Sequence, residues 1–314
     1  MSDDKFELGA EIDTDGSFRR QENIFRSAVT VDGSSPFPAE AGRYHLYISW
    51  ACPWAHRAAI ARQLKGLDGV VSMSAVDPIR DARGWAFTGG EYTDPVNGFE
   101  FLKEAYLEAE PAFDQRVTVP VLWDKESGTI VNNESSELLR IFDSGFGDLA
   151  NDSMTLYPEQ WRSEIDSINQ VVYDRVNNGV YKAGFATTQS AYETAVEPLF
   201  ATLDELDSRL SGQRWLVGSE SPTEADWRLF TTLVRFDAVY VGHFKCNIRR
   251  IADYPSLSGY LRDLYRQPGI AETVRIDEIK AHYYATHPMI NPTGIIPSGP
   301  ELDLDSDPGR EHLV

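Results

Sequence analysis

Apolar and polar positions alternate in "RYHLYIS" (43–49) and "VVSMSAV" (70–76), the two-residue period of a strand. The same period runs through "VTVPVLWD" (117–124) and "TIVNN" (129–133), which flank the turn "KESGT" and predict a hairpin. Between these stretches the period lengthens to that of a helix. "AHRAAIARQLKGL" (55–67) follows Pro53, a residue suited to a first helical turn, and fades near Gly66 and Gly69. "FEFLKEAYLEAEP" (99–111) stops at Pro111, and "ESSELLRIFDSGF" (134–146) opens a third helix. Residues 77–98 carry Gly84, Gly89, Gly90, Pro95 and Gly98 and predict a long loop, a feature often tied to function in compact domains.

The order β-α-β-α-β-β-α over 43–146 predicts a thioredoxin-like α/β domain. Its first helix should begin at the carboxyl end of the first strand, where open α/β sheets place their sites. Pro120 conflicts with an ordinary central strand, because it has no N–H to pair. A cis Val119–Pro120 turn removes the conflict and leaves the Val119 backbone to pair with an extended ligand. After a linker at 147–157 the pattern becomes helical, with three-to-four spacing near 159–175, 189–211, 224–240, 256–267 and 271–284. An all-α domain over 158–285 is expected. Residues 1–42 read as an extended N-terminal arm, and 286–314, rich in Pro and Gly, as an extended tail over the surface.

Composition narrows the function classes. At 314 residues, 42% hydrophobic and with seven tryptophans, the chain has enough apolar material for two folded domains. No apolar run approaches about 18 residues, and "MSDDKFELGAEIDTDGSF" is acidic where a secretory signal would be basic and then apolar, so a soluble cytoplasmic protein without a membrane partner is expected. Two cysteines, Cys52 and Cys246, are too few for a disulfide framework. The net charge of −20 repels phosphate and argues against nucleic acid. Of 29 basic residues only 7 are lysine, and this acidic, lysine-poor balance suits a protein kept in solution at high salt.

The chemistry centres on "WACPWAHRAAIA" (50–61). A cysteine just before a helix N-terminus lies where backbone N–H groups and the helix dipole favour a thiolate, and His56 and Arg57 add positive charge within the next turn and a half. The plain alternative is a small buried hydrophobe, a reading the strand–Cys-Pro–helix context disfavours for Cys52 but not for Cys246. Ala55 stands where a Cys-x-x-Cys motif has its second thiol, so a mixed disulfide on Cys52 needs an external thiol to resolve it. "SPTEADW" (221–227) reads as a capping box, Thr223 with Asp226. His243, His282 and His287 lack the spacing of a metal site, so no metal is expected. The acidic stretch "ELDLDSDPG" reads as a solvated segment.

Six blocks, "LYISWACPWAHR", "RVTVPVLWDK", "NNESSE", "VNNGVYKAGFAT", "LVRFDAVYVGHFKCN" and "HYYATHPMINPTGIIPSGP", together resemble the glutathionyl-hydroquinone reductases, the Xi class of glutathione transferases. The resemblance runs from about residue 18 to the C-terminus. It implies a thioredoxin-like N-terminal domain, an all-helical C-terminal domain, a homodimer, and glutathione as co-substrate. It also implies cleavage of the thioether of glutathionyl-hydroquinones by a cysteine thiolate, leaving a mixed disulfide that a second thiol resolves. The residue roles it implies are Cys52 as catalytic nucleophile, Trp85 covering the tripeptide, Arg116 facing its carboxylate, Val119 pairing with the cysteinyl unit, and Glu134 with Ser135 holding the γ-glutamyl end. Ser135 and N–H groups at a helix start suit a carboxylate, and Glu134 an ammonium. Tyr181 and Tyr283 match tyrosines facing the aromatic acceptor, with Tyr240 and His243 as further candidates and Tyr284 as the neighbour that competes with Tyr283.

Competing readings are a conjugating transferase, a general monothiol thioltransferase and a non-catalytic interaction protein. γ-Glutamylcysteine is an alternative thiol, and it would leave Arg116 without the glycine carboxylate. The composition makes its own prediction. The thermal midpoint should hold or rise as KCl is taken to molar levels, and a steady fall would contradict salt adaptation.

Overall fold

The computed structural model describes residues 11–151 and 153–313. They form two compact units, one of Gln21–Thr155 with Glu272–Thr286, the other of 11–20, Leu156–Ala271 and 287–313.

In the first unit the arm carries a short parallel pair, β1 (Val29–Thr30) and β2 (Phe37–Pro38). The main sheet follows, with β3 (Tyr44–Ile48) leading into α1 (Pro53–Leu64), then β4 (Val71–Ala75), α2 (Leu102–Ala109), β5 (Val121–Asp124), β6 (Thr129–Asn132) and α3 (Ser135–Arg140). The strand order is β4-β3-β5-β6, with β3 parallel to β4 and antiparallel to β5, and β5 antiparallel to β6. This is the expected thioredoxin-like arrangement. Pro120 lies just ahead of β5, which starts at Val121 rather than at 117, and the Val119–Pro120 peptide is cis. The missing donor is thus outside the ladder.

Every residue of β3 is buried, and α1 is buried nearly all round, with Ala55, Ala58, Ile60 and Ala61 fully enclosed between the sheet and α3. Its apolar periodicity is weak because the buried positions include His56, Arg57 and Arg62 beside the alanines. Small alanines let it lie close to its neighbours. Arg43 ties the start of β3 to the end of β5 through a bidentate pair with the buried Asp124 carboxylate, at 2.8 and 2.7 Å.

The second unit is helical, with α4 (Arg162–Val171), α5 (Gly179–Phe185), α6 (Gln189–Leu210), α7 (Glu224–Arg235) and α8 (Pro255–Tyr265). The segment α9 (Ile276–Thr286) packs with the first unit. Three of the expected helices keep their extent but widen at their ends into π turns, at Ile141–Gly145, Val172–Asn177 and Phe236–Tyr240. The short α5 is absent from the periodicity reading because "GVYKAGF" places two glycines among seven residues. The capping box at Thr223 and Asp226 forms, and Asp226 also accepts from the Leu216 N–H and the Tyr260 hydroxyl. The tail is not simply laid on the surface. Arg310 is buried and donates to the carbonyls of Leu210, Gln213 and Arg214, which closes the C-terminal end of α6.

His45, the second residue of β3, has Nδ1 and Nε2 each 2.8 Å from a serine hydroxyl, of Ser72 and Ser74. Burial pushes its pKa down to about 4. The fold therefore holds the neutral ring. That contribution is complete above the unfolded value near 6.5 and is lost as pH falls from there toward 4. Denaturant titrations at pH 7 and pH 5 should differ by about 2 kcal/mol from this residue. His45→Gln should shrink the difference, and an unchanged pH slope in the variant would remove His45 as its source.

Candidate active site

Cys52 stands at the turn between β3 and α1. Its N–H donates to the Ser49 carbonyl at 3.0 Å and its own carbonyl receives the His56 N–H at 3.0 Å, making it the N-cap of α1. Its side chain makes no capping bond to that helix. The thiol is partly exposed and donates to the Val119 carbonyl at 3.6 Å. The residue one turn on, Ala55, is fully buried. Cys246, in the helical unit, is enclosed, with its thiol near the Val180 and Phe244 carbonyls, and burial pushes its pKa far up, as expected of a structural thiol.

The two basic residues after Cys52 diverge. His56 Nε2 meets the Thr273 hydroxyl at 2.7 Å. Arg57, buried, lies over the Trp54 ring at 4.5 Å and reaches the Ser135 hydroxyl at 3.4 Å. Its charge thus serves the start of α3, a role its sequence position beside Cys52 did not indicate.

Glu134 is the N-cap of α3. One carboxylate oxygen accepts from the Ser136 N–H at 3.0 Å and its hydroxyl at 2.8 Å, and the other from the Asn23 amide at 2.8 Å. Burial alone would raise its pKa. The Ser136 and Asn23 hydrogen bonds and the Arg57 charge outweigh that and hold the carboxyl below its ordinary value. Ser135 is buried beside it. Arg116 is positioned through its backbone, whose N–H and carbonyl pair with the Gln21 side chain at 3.1 and 2.7 Å. Asn23 also accepts from the Thr118 hydroxyl at 3.4 Å. The arm therefore lines up Arg116, Thr118 and Glu134, and continues as Ser27 N–H to the Val131 carbonyl at 3.0 Å. Sequence reasoning missed Gln21 and Asn23, which sit in an aperiodic polar stretch with no motif around them.

Trp85 lies in the glycine-bounded loop, is 4% exposed, and packs against Arg80 and His282. Tyr283, on α9 in the same unit, is buried, and its neighbour Tyr284 is half-buried. The other sequence candidates lie in the helical unit and share one aromatic cluster. Tyr181 contacts Tyr240 at 6.2 Å and Phe244 at 5.4 Å between centroids, and Gly184 allows this, since a Cβ there would sit 2.2 Å from the Phe244 ring. Arg20 lies over the Tyr181 ring at 4.7 Å, held by Asn178 at 3.0 Å. His243 and His287 are paired at 3.1 Å, and burial pushes His243 down to about 4. Among the described residues no group of three or more His, Cys, Asp or Glu is arranged to hold a metal, and no helix is long and apolar enough to cross a membrane.

Family models match both parts of the chain, "Glutathione S-transferase, N-terminal domain" over residues 51–144 and "Glutathione S-transferase, C-terminal domain" over 189–263. The chain is 50% identical to the glutathionyl-hydroquinone reductase YqjG of Escherichia coli, over 95% of this chain and 93% of that one. It is 51% identical to the glutathionyl-hydroquinone reductase PcpF of Sphingobium chlorophenolicum, over 92% and 91%. The glutathione-bound structure of YqjG superposes with a TM-score of 0.90, covering 95% of this chain and 98% of that one. The Xi glutathione S-transferase of Phanerochaete chrysosporium, 48% identical, superposes at 0.89 over 94% and 98%.

The site's own geometry gives a stability prediction. Glu134→Ala removes the cap of α3 and the Asn23 contact, and should lower the unfolding free energy by about 1 kcal/mol. Glu134→Gln keeps an acceptor for the Ser136 N–H and should cost less. Equal stability of all three proteins in urea would contradict this reading of the cap.

Proposed function

The chain belongs to the glutathionyl-hydroquinone reductases, the Xi class of glutathione transferases, and on that premise we propose that it reduces glutathionyl-hydroquinones through Cys52. The Cys52 thiolate attacks the thioether sulfur and forms an S–S bond. The aryl C–S bond breaks, its electron pair passes to the ring carbon, and that carbon takes a proton to give the free hydroquinone. A second glutathione thiolate then attacks the glutathionyl sulfur of the mixed disulfide, yielding oxidised glutathione and regenerating the Cys52 thiolate. The aryl carbon is reduced by two electrons, which come from the two glutathione sulfurs that end joined as oxidised glutathione, while Cys52 is recovered unchanged.

The observation that carries this reading is a partly exposed thiol at a helix start, facing the Val119 carbonyl, with Ala55 in place of a resolving cysteine. Such a site keeps its mixed disulfide until a second small thiol arrives. Glutathione is the proposed thiol, lying along Val119 with its γ-glutamyl end toward Glu134 and Ser135, a carboxylate toward Arg116, and Trp85 covering it. Arg57 strengthens the γ-glutamyl end, since it brings positive charge to Ser135. Tyr283 is proposed to donate a proton or hydrogen bond to the departing hydroquinone. Tyr181, with Tyr240 and His243, is proposed to contact the aromatic ring, supported by the resemblance and by the cluster these residues form. A cytoplasmic homodimer is the proposed working form.

Incubation with a glutathionyl-hydroquinone and glutathione should release hydroquinone and oxidised glutathione in equal amounts. Cys52→Ser should lower turnover by at least about a thousandfold. Turnover that survives the substitution removes Cys52 from the mechanism. Conjugation of a simple electrophile that rises in Cys52→Ser would favour a conjugating transferase instead.

A further inference from the structure

The proposed chemistry gives His282 no role, yet α9 carries it to the loop that holds Trp85. Its imidazole stacks on the Trp85 indole, with centroids 5.0 Å apart and planes 21° from parallel. The Arg80 guanidinium lies 5.0 Å from the same indole centroid. His282 also meets its neighbour Tyr283 edge-on, at 5.3 Å and 79°. His282 Nδ1 is 2.7 Å from the Pro78 carbonyl, and because a carbonyl oxygen only accepts, Nδ1 carries a proton. That bond fixes the ring plane and ties α9 to the first residues of the loop. The loop backbone is pinned around the indole, with the Gly84 N–H donating to the Asp81 carbonyl at 3.1 Å and the Trp85 carbonyl accepting from the Leu102 N–H at 2.9 Å, so the ring contacts of His282 and Arg80 act on the side chain itself.

The same segment grips both flanks of Cys52. Thr273 holds His56, four residues after the thiol, and Arg275 lies over the Trp50 ring at 5.5 Å, two residues before it. The segment leading into α9 thus locates the backbone on either side of Cys52, and His282 locates the aromatic rings.

We propose that His282 is a positioning residue of the reductase site: the Arg80–Trp85–His282–Tyr283 stack holds the glutathione-covering indole and the phenol in one fixed arrangement. The inference rests on the reductase reading for its activity prediction and on the stack alone for its structural one. His282 exchanges no proton with substrate. Its contribution is to spare the indole side chain the ordering that binding would otherwise require, so its loss weakens binding of the conjugate rather than the bond-breaking step.

Two variants separate the ring from its hydrogen bond. His282→Phe keeps a stacking ring and loses the bond to Pro78, while His282→Gln loses the ring and keeps a donor. His282→Gln should raise KM for a glutathionyl-hydroquinone about tenfold with kcat within about threefold of the parent, and His282→Phe should lie nearer the parent. Acrylamide quenching, taken as the difference between each protein and its Trp85→Phe counterpart, should show the indole more accessible in His282→Gln than in the parent. A His282→Gln protein with the parent's KM, or one that loses kcat at unchanged KM, overturns the proposal. If the parent itself does not turn over, the reductase reading fails, and quenching alone decides: unchanged access to Trp85 in His282→Gln overturns the stack as its positioning device.

Discussion

The burial of α1 determines where Cys52 can be. Ala55, Ala58, Ile60 and Ala61 are wholly enclosed and Ala59 nearly so, leaving the helix no freedom to shift along the sheet without opening voids or clashes. Four residues separate the end of β3 from the start of the helix, and the last of them, Cys52, caps it. The packing beneath it therefore brings the thiol to the Val119 carbonyl, to which it donates at 3.6 Å. Full enclosure of Ala55 completes the arrangement: that position is part of the packed face, and the partly exposed thiol is left to partners from solution.

Elements remote in sequence are laid around that fixed point. The arm supplies Gln21 and Asn23, which pair with Arg116 and Thr118 ahead of β5 and with Glu134 ahead of α3, and hold these two connections in line. The segment leading into α9 supplies Thr273 and Arg275 on the two flanks of Cys52. Each contact is a modest hydrogen bond or ring contact, worth on the order of 1 kcal/mol alone. In the proposed reaction their effect comes from orientation, because a nucleophile and a thioether sulfur must meet in line.

The parts of this account legible in the sequence are those with local causes. Alternation in "RYHLYIS" and "VVSMSAV" found β3 and β4, the Thr223–Asp226 pair found the start of α7, and Pro120 inside an apolar run pointed to the cis bond. What stayed hidden has causes spread along the chain. Periodicity placed a helix near 271–284 but carries no information on which unit it packs against. Nothing in "SGPELDLDSDPGREHLV" marks Arg310 as the cation that closes α6, since that depends on carbonyls about a hundred residues away. Arg57 reads as a charge for Cys52 until the fold turns it toward Ser135. His282 reads as a failed metal ligand until the loop returns Trp85 to it.

The central claim is that the thioether sulfur, and not the quinone ring, becomes bonded to Cys52. Intact-mass analysis of a single turnover, quenched by acid with one equivalent of glutathionyl-hydroquinone and no free thiol, tests it most directly. The account predicts one glutathionyl adduct per chain, confined to the Cys52 peptide, removed by a reductant, and formed in step with free hydroquinone. An adduct that retains the quinone ring, or hydroquinone release without any adduct on Cys52, would contradict it.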